Sequence, residues 1–386
     1  MNSSKKIRVA VLYGGRSPEH EVSLQSAKNI IQYLDPSLFE VIPIGIDKQG
    51  TWFLGDISQD KQLTDTQELK LLRDDHRQLF TPDWIGKSVV PRQASELITR
   101  ATKNQRLFDV VFPAMHGALC EDGAIQGLFE LADVPYVGCG ILSSAIGMDK
   151  DVAKRLAIQA NIDVHPYKVI KHNQWQTQAA ELCQQIQKQL GFPVFVKPAN
   201  TGSSIGITKV KTPDQLPCAI EAALQLDNKI LVEKAIDAME LEIAVLETPS
   251  LEAEPIMSVV GEVKPRHEFY SYAAKYLDEH GAKLIIPAPI TAELGAQAQA
   301  IAKKLFTILE CEGMARVDLF LEKSSQRIYF NEINTIPGFT QISMYPKLMS
   351  ASGISYSELL TRLVKLAMDK HCRRSALNRS YCHDIE

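Results

Sequence analysis

The stretch at residues 194–210, VFVKPANTGSSIGITKV, restricts the fold more than any other part of the chain. An apolar run of strand character ends on Lys197, a loop of small residues follows at 201–206, and β-branched alternation resumes at once. A P-loop needs the opposite order, with its lysine after the last glycine and a helix directly behind it whose N-terminus faces the phosphates. Here a grip on an anion has to come from loop N–H groups that small residues leave open, plus an ammonium carried on a strand. A plain glycine–serine turn would have the same composition; the flanking lysine is what favours an anion site. A protein kinase also covers ATP phosphates with a glycine-rich hairpin, but the absence of an HRD or DFG sequence argues against that family. A dehydrogenase-type dinucleotide site is argued against too, since GGRSPEH stands at the first strand-to-helix turn in place of GxGxxG, so a ligand at Gly14-Gly15 is not a dinucleotide.

Two kinds of pattern flank the loop. Upstream, an apolar run at 7–13, a double glycine and a helical pattern at 22–34 stopped by Asp35-Pro36 read as strand, turn and helix. Strands at 40–46, 109–113 and 135–138, then a helix through MDKDVAKRLAIQA, continue an α/β alternation. Downstream of Asn161 the pattern is α+β: VHPYKVI, FPVFVKP and ILVEKAI read as short strands, and ELEIAVLE and EPIMSVVGEVKP as antiparallel ones. A long amphipathic helix follows at 291–309 with Thr291 as its N-cap, and a last helix at 357–370 precedes a solvent-exposed tail. The charged stretch 47–106 carries no recognisable chemistry and reads as an elaboration of the first domain.

At 386 residues and 45% apolar content, two or three domains are expected. A net charge of -4 argues against a general nucleic-acid or membrane-surface role. The seven cysteines form no CxxC pair and are odd in number, as expected of reduced thiols in the cytoplasm. Neither a signal-like N-terminal segment nor an apolar span of about 20 residues is seen, which points the same way.

A second motif lies in ARVDLFLE and YFNEINT, joined by a turn at KSSQ. Period two puts Arg316, Asp318 and Phe320 on one face of the first strand, and Phe330, Glu332 and Asn334 on one face of the second. A hairpin loop with an odd number of residues centred on Ser325 sets Asp318 directly opposite Glu332. Carboxylates about 5 Å apart repel unless a cation sits between them. Asp318, Glu332 and Asn334 are hard oxygen donors suited to magnesium, which shares its shell with phosphate oxygens. A solvated acidic face is the alternative, and a four-residue loop would break the register.

Taken in order, GGRSPEHEVS, MHGALCEDG, MDK, VKPANTGSSIG, LVEKAI, ARVDLFL and NEINTIPGFT resemble the D-alanine–D-alanine ligases of the ATP-grasp superfamily. The resemblance implies an ATP-grasp fold, mixed α/β and α+β, of three domains: a Rossmann-like N-terminal domain at 1–148, a central domain at 149–237 and a C-terminal domain at 238–386. It implies that ATP lies between the last two, its phosphates met by Lys150, Lys197 and Ser204. Glu233, Lys234, Ala235 and Ile236 match the adenine-binding segment and Glu240 the ribose-binding acid. Asp318, Glu332 and Asn334 match ligands of magnesium, or manganese in its place, with two ions expected.

Glu19, Ser203 and Tyr276 match a trio that positions the first D-alanine and closes a lid, and His116 matches a histidine beside that substrate. Lys275, Arg316, Gly338, Ser343 and Met344 fall where the family handles the transferred phosphate, the intermediate and the second substrate. The segment HEFYSYAAKYLDEHGAKLII is the expected lid. ATP and D-alanine are the implied partners, with a homodimer as the assembly and neither nucleic acid nor membrane. D-lactate or D-serine as the second substrate is the competing reading: Tyr276 favours D-alanine, and His280 in the same segment leaves the acceptor open. A nucleotide-binding regulatory protein on a ligase scaffold is the remaining alternative.

Overall fold

The computed structural model describes residues 5–54, 78–80, 107–249, 253–265 and 282–378. The first sheet contains β1 (Ile7–Gly14), β2 (Phe39–Ile46), β3 (Trp52–Leu54), β4 (Gln78–Phe80) and β5 (Val110–Pro113), in the order β4-β3-β2-β1-β5. β1 runs parallel to both β2 and β5. Val9, Ala10, Val11 and Leu12 are buried on both faces, which is why this strand reads as an unbroken apolar run rather than an alternation. Helix α1 (His20–Tyr33) follows the Gly14-Gly15 turn. At Gly14 φ is 87° and an added Cβ would stand 2.1 Å from the Ile46 carbonyl oxygen, so the turn requires glycine there.

Three shorter helices follow: α2 (Ala124–Leu131), α3 (Ile141–Met148) and α4 (Lys150–Gln159). Two expectations need correction here. The segment at 135–138 makes only a single bridge, Val111 to Tyr136. The helix expected through MDKDVAKRLAIQA starts only at Lys150, because Asp149 turns extended and its carboxylate accepts from the Asp151 and Val152 N–H groups, both at 3.1 Å.

The second sheet has β6 (Tyr167–Lys171), β7 (Val194–Pro198), β8 (Thr208–Val210) and β9 (Lys229–Lys234), ordered β6-β9-β7-β8 and antiparallel at every pairing. Helices α5 (His172–Gln189) and α6 (Leu216–Leu224) pack on it over a core that includes Ile170, Val196, Ile220 and Val232. Glutamine-rich α5 buries only Trp175, Leu182 and Ile186, too sparse a stripe to be read from sequence.

The third sheet is antiparallel: β10 (Ala238–Leu246), β11 (Ile256–Met257), β12 (Gly261–Pro265), β13 (Ala282–Ile285), β14 (Met314–Glu322) and β15 (Ile328–Asn334). Its path is β13-β12-β10-β14-β15, with β11 paired to β10. The stretch EPIMSVVGEVKP therefore forms two short strands where one was expected. Helix α7 (Ala292–Ile308) begins at the expected N-cap, the Leu294 N–H bonding Thr291 Oγ1 at 3.3 Å. It packs with α4 on one face of this sheet: Leu241, Ile243, Val317 and Leu319 meet Ala157, Ala302 and Leu305. The opposite face carries Glu240, Glu242, Arg316 and Asp318.

Helices α8 (Met344–Ala351) and α9 (Tyr356–Ser375) join the core of the first sheet to β10 and β14. α9 runs past Lys370, so residues 371–375 are helix and not the exposed tail expected from sequence. Lys370 is buried, and Arg374 pairs with Glu130 and with Glu312.

Candidate active site

The small-residue loop joins β7 to β8 with Ser203 and Ser204 both left-handed, at φ 51° and 59°. Each such residue costs about 1–2 kcal/mol, which the surrounding contacts must offset. One contact is explicit: the Ser203 hydroxyl donates to Glu19 Oε1 at the start of α1. A Cβ on Gly202 would come within 3.2 Å of the other Glu19 oxygen, so a small residue lets loop and helix meet. Lys150, first in α4, donates to the Thr201 carbonyl at 2.7 Å and lies 3.3 Å from Glu332 Oε2. Lys197, at the end of β7, is 2.5 Å from Glu233 Oε2.

Glu233 lies at the centre of a buried charge cluster. Lys154 Nζ is 3.4 Å from Glu233 Oε1 and His165 Nε2 is 2.7 Å from Glu233 Oε2. Burial pushes the Glu233 carboxyl up, but the Lys154 and Lys197 charges outweigh it and hold the group well below the usual carboxylate range. Burial also pulls Lys154 down to about 8, against the attraction of Glu233, and pulls His165 down. Sequence reading missed Lys154 and His165. Lys154 was within reach, since it stands one turn beyond Lys150 on the same helix face.

The hairpin does set Asp318 opposite Glu332, by a route different from the expected one. The Glu322 N–H bonds the Arg327 carbonyl, so the turn at 323–326 has four residues, and the ladder begins with Leu321 opposite Ile328. That register alone would bring Asn331 to Asp318. The register shifts between Asp318 and Leu319, and the extra residue, Asn331, moves Glu332 opposite Asp318 and Asn334 opposite Arg316. The shift also separates Phe330 from its expected face: Phe330 is fully buried in the core with Leu319. Asn331 instead lines the cleft beside Lys197, 3.5 Å from its ammonium.

Three acids thus occupy one row of the sheet, Glu242, Asp318 and Glu332 on β10, β14 and β15. Arg316 grips Asp318 with both ends of its fork, Nε to Oδ1 at 2.7 Å and Nη2 to Oδ2 at 2.6 Å. Its Nε is also 3.1 Å from Glu242 Oε2. Burial would lower the guanidinium's pKa, but Asp318 and Glu242 carry it well above its ordinary value. This crowding of hard oxygens, with the Asn334 amide on the next rung, fits a divalent cation beside phosphate. Among the described residues no group of three or more His, Cys, Asp and Glu side chains is arranged to hold a metal; Asp318, Glu332 and the Asn334 amide are the oxygen donors that could hold one.

Two clefts meet here, of about 390 and 720 Å³. Lys150, Ser203 and Glu332 line both. The larger is walled by Lys197, Ser204 and Glu240 and by the run from Glu233 through Lys234 and Ala235 to Ile236. The smaller holds Glu19 and His116 together with Arg316, Asn334, Gly338, Ser343 and Met344. A Cβ on Gly338 would stand 2.8 Å from the Ser343 hydroxyl oxygen, so a larger residue there would have to displace that hydroxyl. Asp318 lines neither cleft directly and reaches the site through Arg316. Lys275, Tyr276 and most of the expected lid lie outside the described residues; the lid's last part is β13, whose Leu284 borders the smaller cleft.

His116 is held by Ser26 Oγ at 3.0 Å and the Ile336 carbonyl at 3.2 Å, with Glu121 Oε1 at 3.6 Å. Burial would lower its pKa, but Glu121 and Glu19 raise it overall. Glu121, buried in the smaller cleft and missed in the sequence, lies within the MHGALCEDG motif itself.

Family models for the N-terminus and C-terminus of D-ala D-ala ligase match residues 8–139 and 156–365. The chain is 50% identical to D-alanine–D-alanine ligase A of Bradyrhizobium diazoefficiens, over 97% of this chain and 99% of the relative. It is 43% identical to D-alanine–D-alanine ligase A of Escherichia coli, with the same coverage of both chains. Among solved structures, the D-alanine-D-alanine ligase of Coxiella burnetii superposes with a TM-score of 0.75 at 32% identity, covering 96% of this chain and 97% of that one. The VanG D-Ala:D-Ser ligase of Enterococcus faecalis does so with a TM-score of 0.76 at 36% identity, covering 94% and 100%. With both family models in order along its length and its sheets arranged around one composite cleft, the chain has the ATP-grasp fold and belongs to the D-alanine–D-alanine ligase family.

Proposed function

We propose that this chain joins two D-alanines into D-alanyl-D-alanine for peptidoglycan precursor synthesis, converting ATP to ADP and phosphate. The observation that carries this reading is the junction of the two clefts at Lys150, Ser203 and Glu332. A nucleotide in the larger cleft would present its terminal phosphate there to a carboxylate held in the smaller one. A carboxylate is a poor acylating agent, so one of its oxygens attacks the γ-phosphorus, the bond to ADP breaks, and an acyl phosphate forms. The second amine then attacks the carbonyl carbon, and phosphate and an amine proton leave.

Lys150, Lys197 and the loop at Ser203 and Ser204 neutralise and hold the phosphates, while Glu233 to Ile236 and Glu240 receive the nucleoside. Glu19 and Ser203 hold the ammonium of the first D-alanine with His116 beside it, and Tyr276 and Lys275 act from the lid. Arg316 and the Gly338 N–H face the oxyanion of the tetrahedral intermediate, and Ser343 and Met344 take the second substrate. Asp318, Glu332 and Asn334 would hold magnesium or manganese, two ions in all, which supply counter-charge to the transferred phosphoryl group. The three-domain division at 148 and 237, a homodimer and a cytoplasmic location complete the proposal. No described helix is long and apolar enough to cross a membrane.

The test is phosphate release from ATP and Mg²⁺ with D-alanine alone, L-alanine alone, or D-alanine plus D-lactate or D-serine, with products identified by mass. Dipeptide from D-alanine alone is the expected result. Turnover only with a second acceptor would move the specificity, and silence in every mixture would overturn the ligase reading. Sedimentation of the same preparation tests the dimer.

A further inference from the structure

Arg316 has two carboxylates within reach, and the proposed chemistry employs only one of them. Asp318 accepts from both ends of its fork at 2.6 and 2.7 Å, and Glu242 stands 3.1 Å from Nε. Glu242 lies directly opposite Asp318 across β10 and β14, and its side chain is 8% exposed. A divalent cation on Asp318 needs at least one of the oxygens that Arg316 now occupies. The guanidinium and the cation also repel each other, so the fork must let go. A guanidinium only 15% exposed cannot be released into a low-dielectric wall without a partner.

We propose that Glu242 is a positioning residue that takes over the Arg316 guanidinium when a divalent cation claims Asp318. The handover needs no change of sheet face, because both acids lie on one row and Arg316 stands one pleat away from Asp318 on the same side. It keeps the cation-bound state from leaving an uncompensated guanidinium. It also fixes Arg316 along the wall of the smaller cleft, which Glu242 lines as well. The inference rests on the assignment of Asp318 as a metal ligand made above.

The test is direct binding of Mn²⁺ in the presence of ADP to the purified full chain, followed by electron paramagnetic resonance, with urea midpoints as the folding control. In Glu242→Gln, Arg316 stays on Asp318 and competes with the cation, so Mn²⁺ binding should weaken at least about fivefold. In Arg316→Gln the competitor is gone, and adding Glu242→Gln to it should change Mn²⁺ binding no further. Glu242→Asp should recover part of the loss. A merely structural Glu242 would lower the urea midpoint and weaken Mn²⁺ binding equally with or without Arg316, and that outcome, or unchanged binding in Glu242→Gln, overturns the handover. Asp318→Asn binding Mn²⁺ as tightly as the wild type would instead remove the metal assignment beneath it.

Discussion

Lys154 is fully buried and shares Glu233 with Lys197 and His165, so one carboxylate serves two ammonium groups and an imidazole. Burial pulls Lys154 from its ordinary 10.5 to about 8, while Glu233 opposes the shift. Between those two values the unfolded chain binds a proton at Lys154 that the folded chain lacks, so this group makes stability rise with pH across that window. Below about 8 both states are protonated and the burial cost of the charge is present in full. Lys154→Met removes the effect. The unfolding free energy of the wild type relative to Lys154→Met, from urea titrations, should therefore increase from pH 8 to 10, by at most about 1.4 kcal/mol per pH unit. A flat difference would show that Lys154 does not titrate in this window. Lys197 stands differently, because it borders the larger cleft. Lys197→Ala leaves Glu233 with Lys154 and His165 as partners, so the fold should persist while kcat drops about 10²–10³-fold; wild-type turnover in that variant would remove Lys197 from the site.

At the scale of elements, strand periodicity reads well wherever a ladder is regular and fails where an extra residue enters it. Arg316 and Asp318 were legible because β14 alternates without interruption, and the same alternation on β10 would have found Glu242 two residues after Glu240. Asn331 was not legible, since no local signal in YFNEINT marks which residue is the extra one; the partner strand and the even turn decide it together. The break before α4 was marked by a residue whose meaning depends on a distant partner. Asp149 caps the helix that presents Lys150, and its other oxygen receives Lys229 Nζ at 2.5 Å. Asp149→Ala loses both and should destabilise the chain by about 1–2 kcal/mol, with a rise in KM for ATP as Lys150 loses its fixed origin. Asp149→Asn retains the cap and should recover most of the stability but not the ion pair. Thermal unfolding of the two variants side by side separates cap from charge, and equal losses would assign the whole effect to Lys229.

Across the whole molecule, the first and third sheets are joined by groups that line neither cleft. Arg374, in the last turn of α9, pairs with Glu130 on α2 and with Glu312 just ahead of β14, at 3.0 Å for the latter. Four residues earlier, Lys370 donates to the Gly138 carbonyl at 2.7 Å, and its ammonium stands 4.4 Å from the centre of the Tyr136 ring. The Arg374 ties were not legible in HCRRS, whose charges read as a solvated end because the acids that Arg374 meets lie more than 50 residues away in sequence. The loop at 201–206 and the hairpin at 316–334 were legible for the opposite reason: each is built from neighbours in sequence, whereas the ties between sheets are not. The same separation yields a prediction. Arg374 is about a third exposed, so its ion pairs are partly screened, and Arg374→Ala should cost only about 1–2 kcal/mol of unfolding free energy. Arg374, Glu130 and Glu312 line neither cleft, so kcat and both KM values should stay at wild-type levels below the melting transition. A raised KM for D-alanine or ATP in a still-folded Arg374→Ala would mean that the tie holds the two walls of the cleft in register and that docking and catalysis are one mechanical unit.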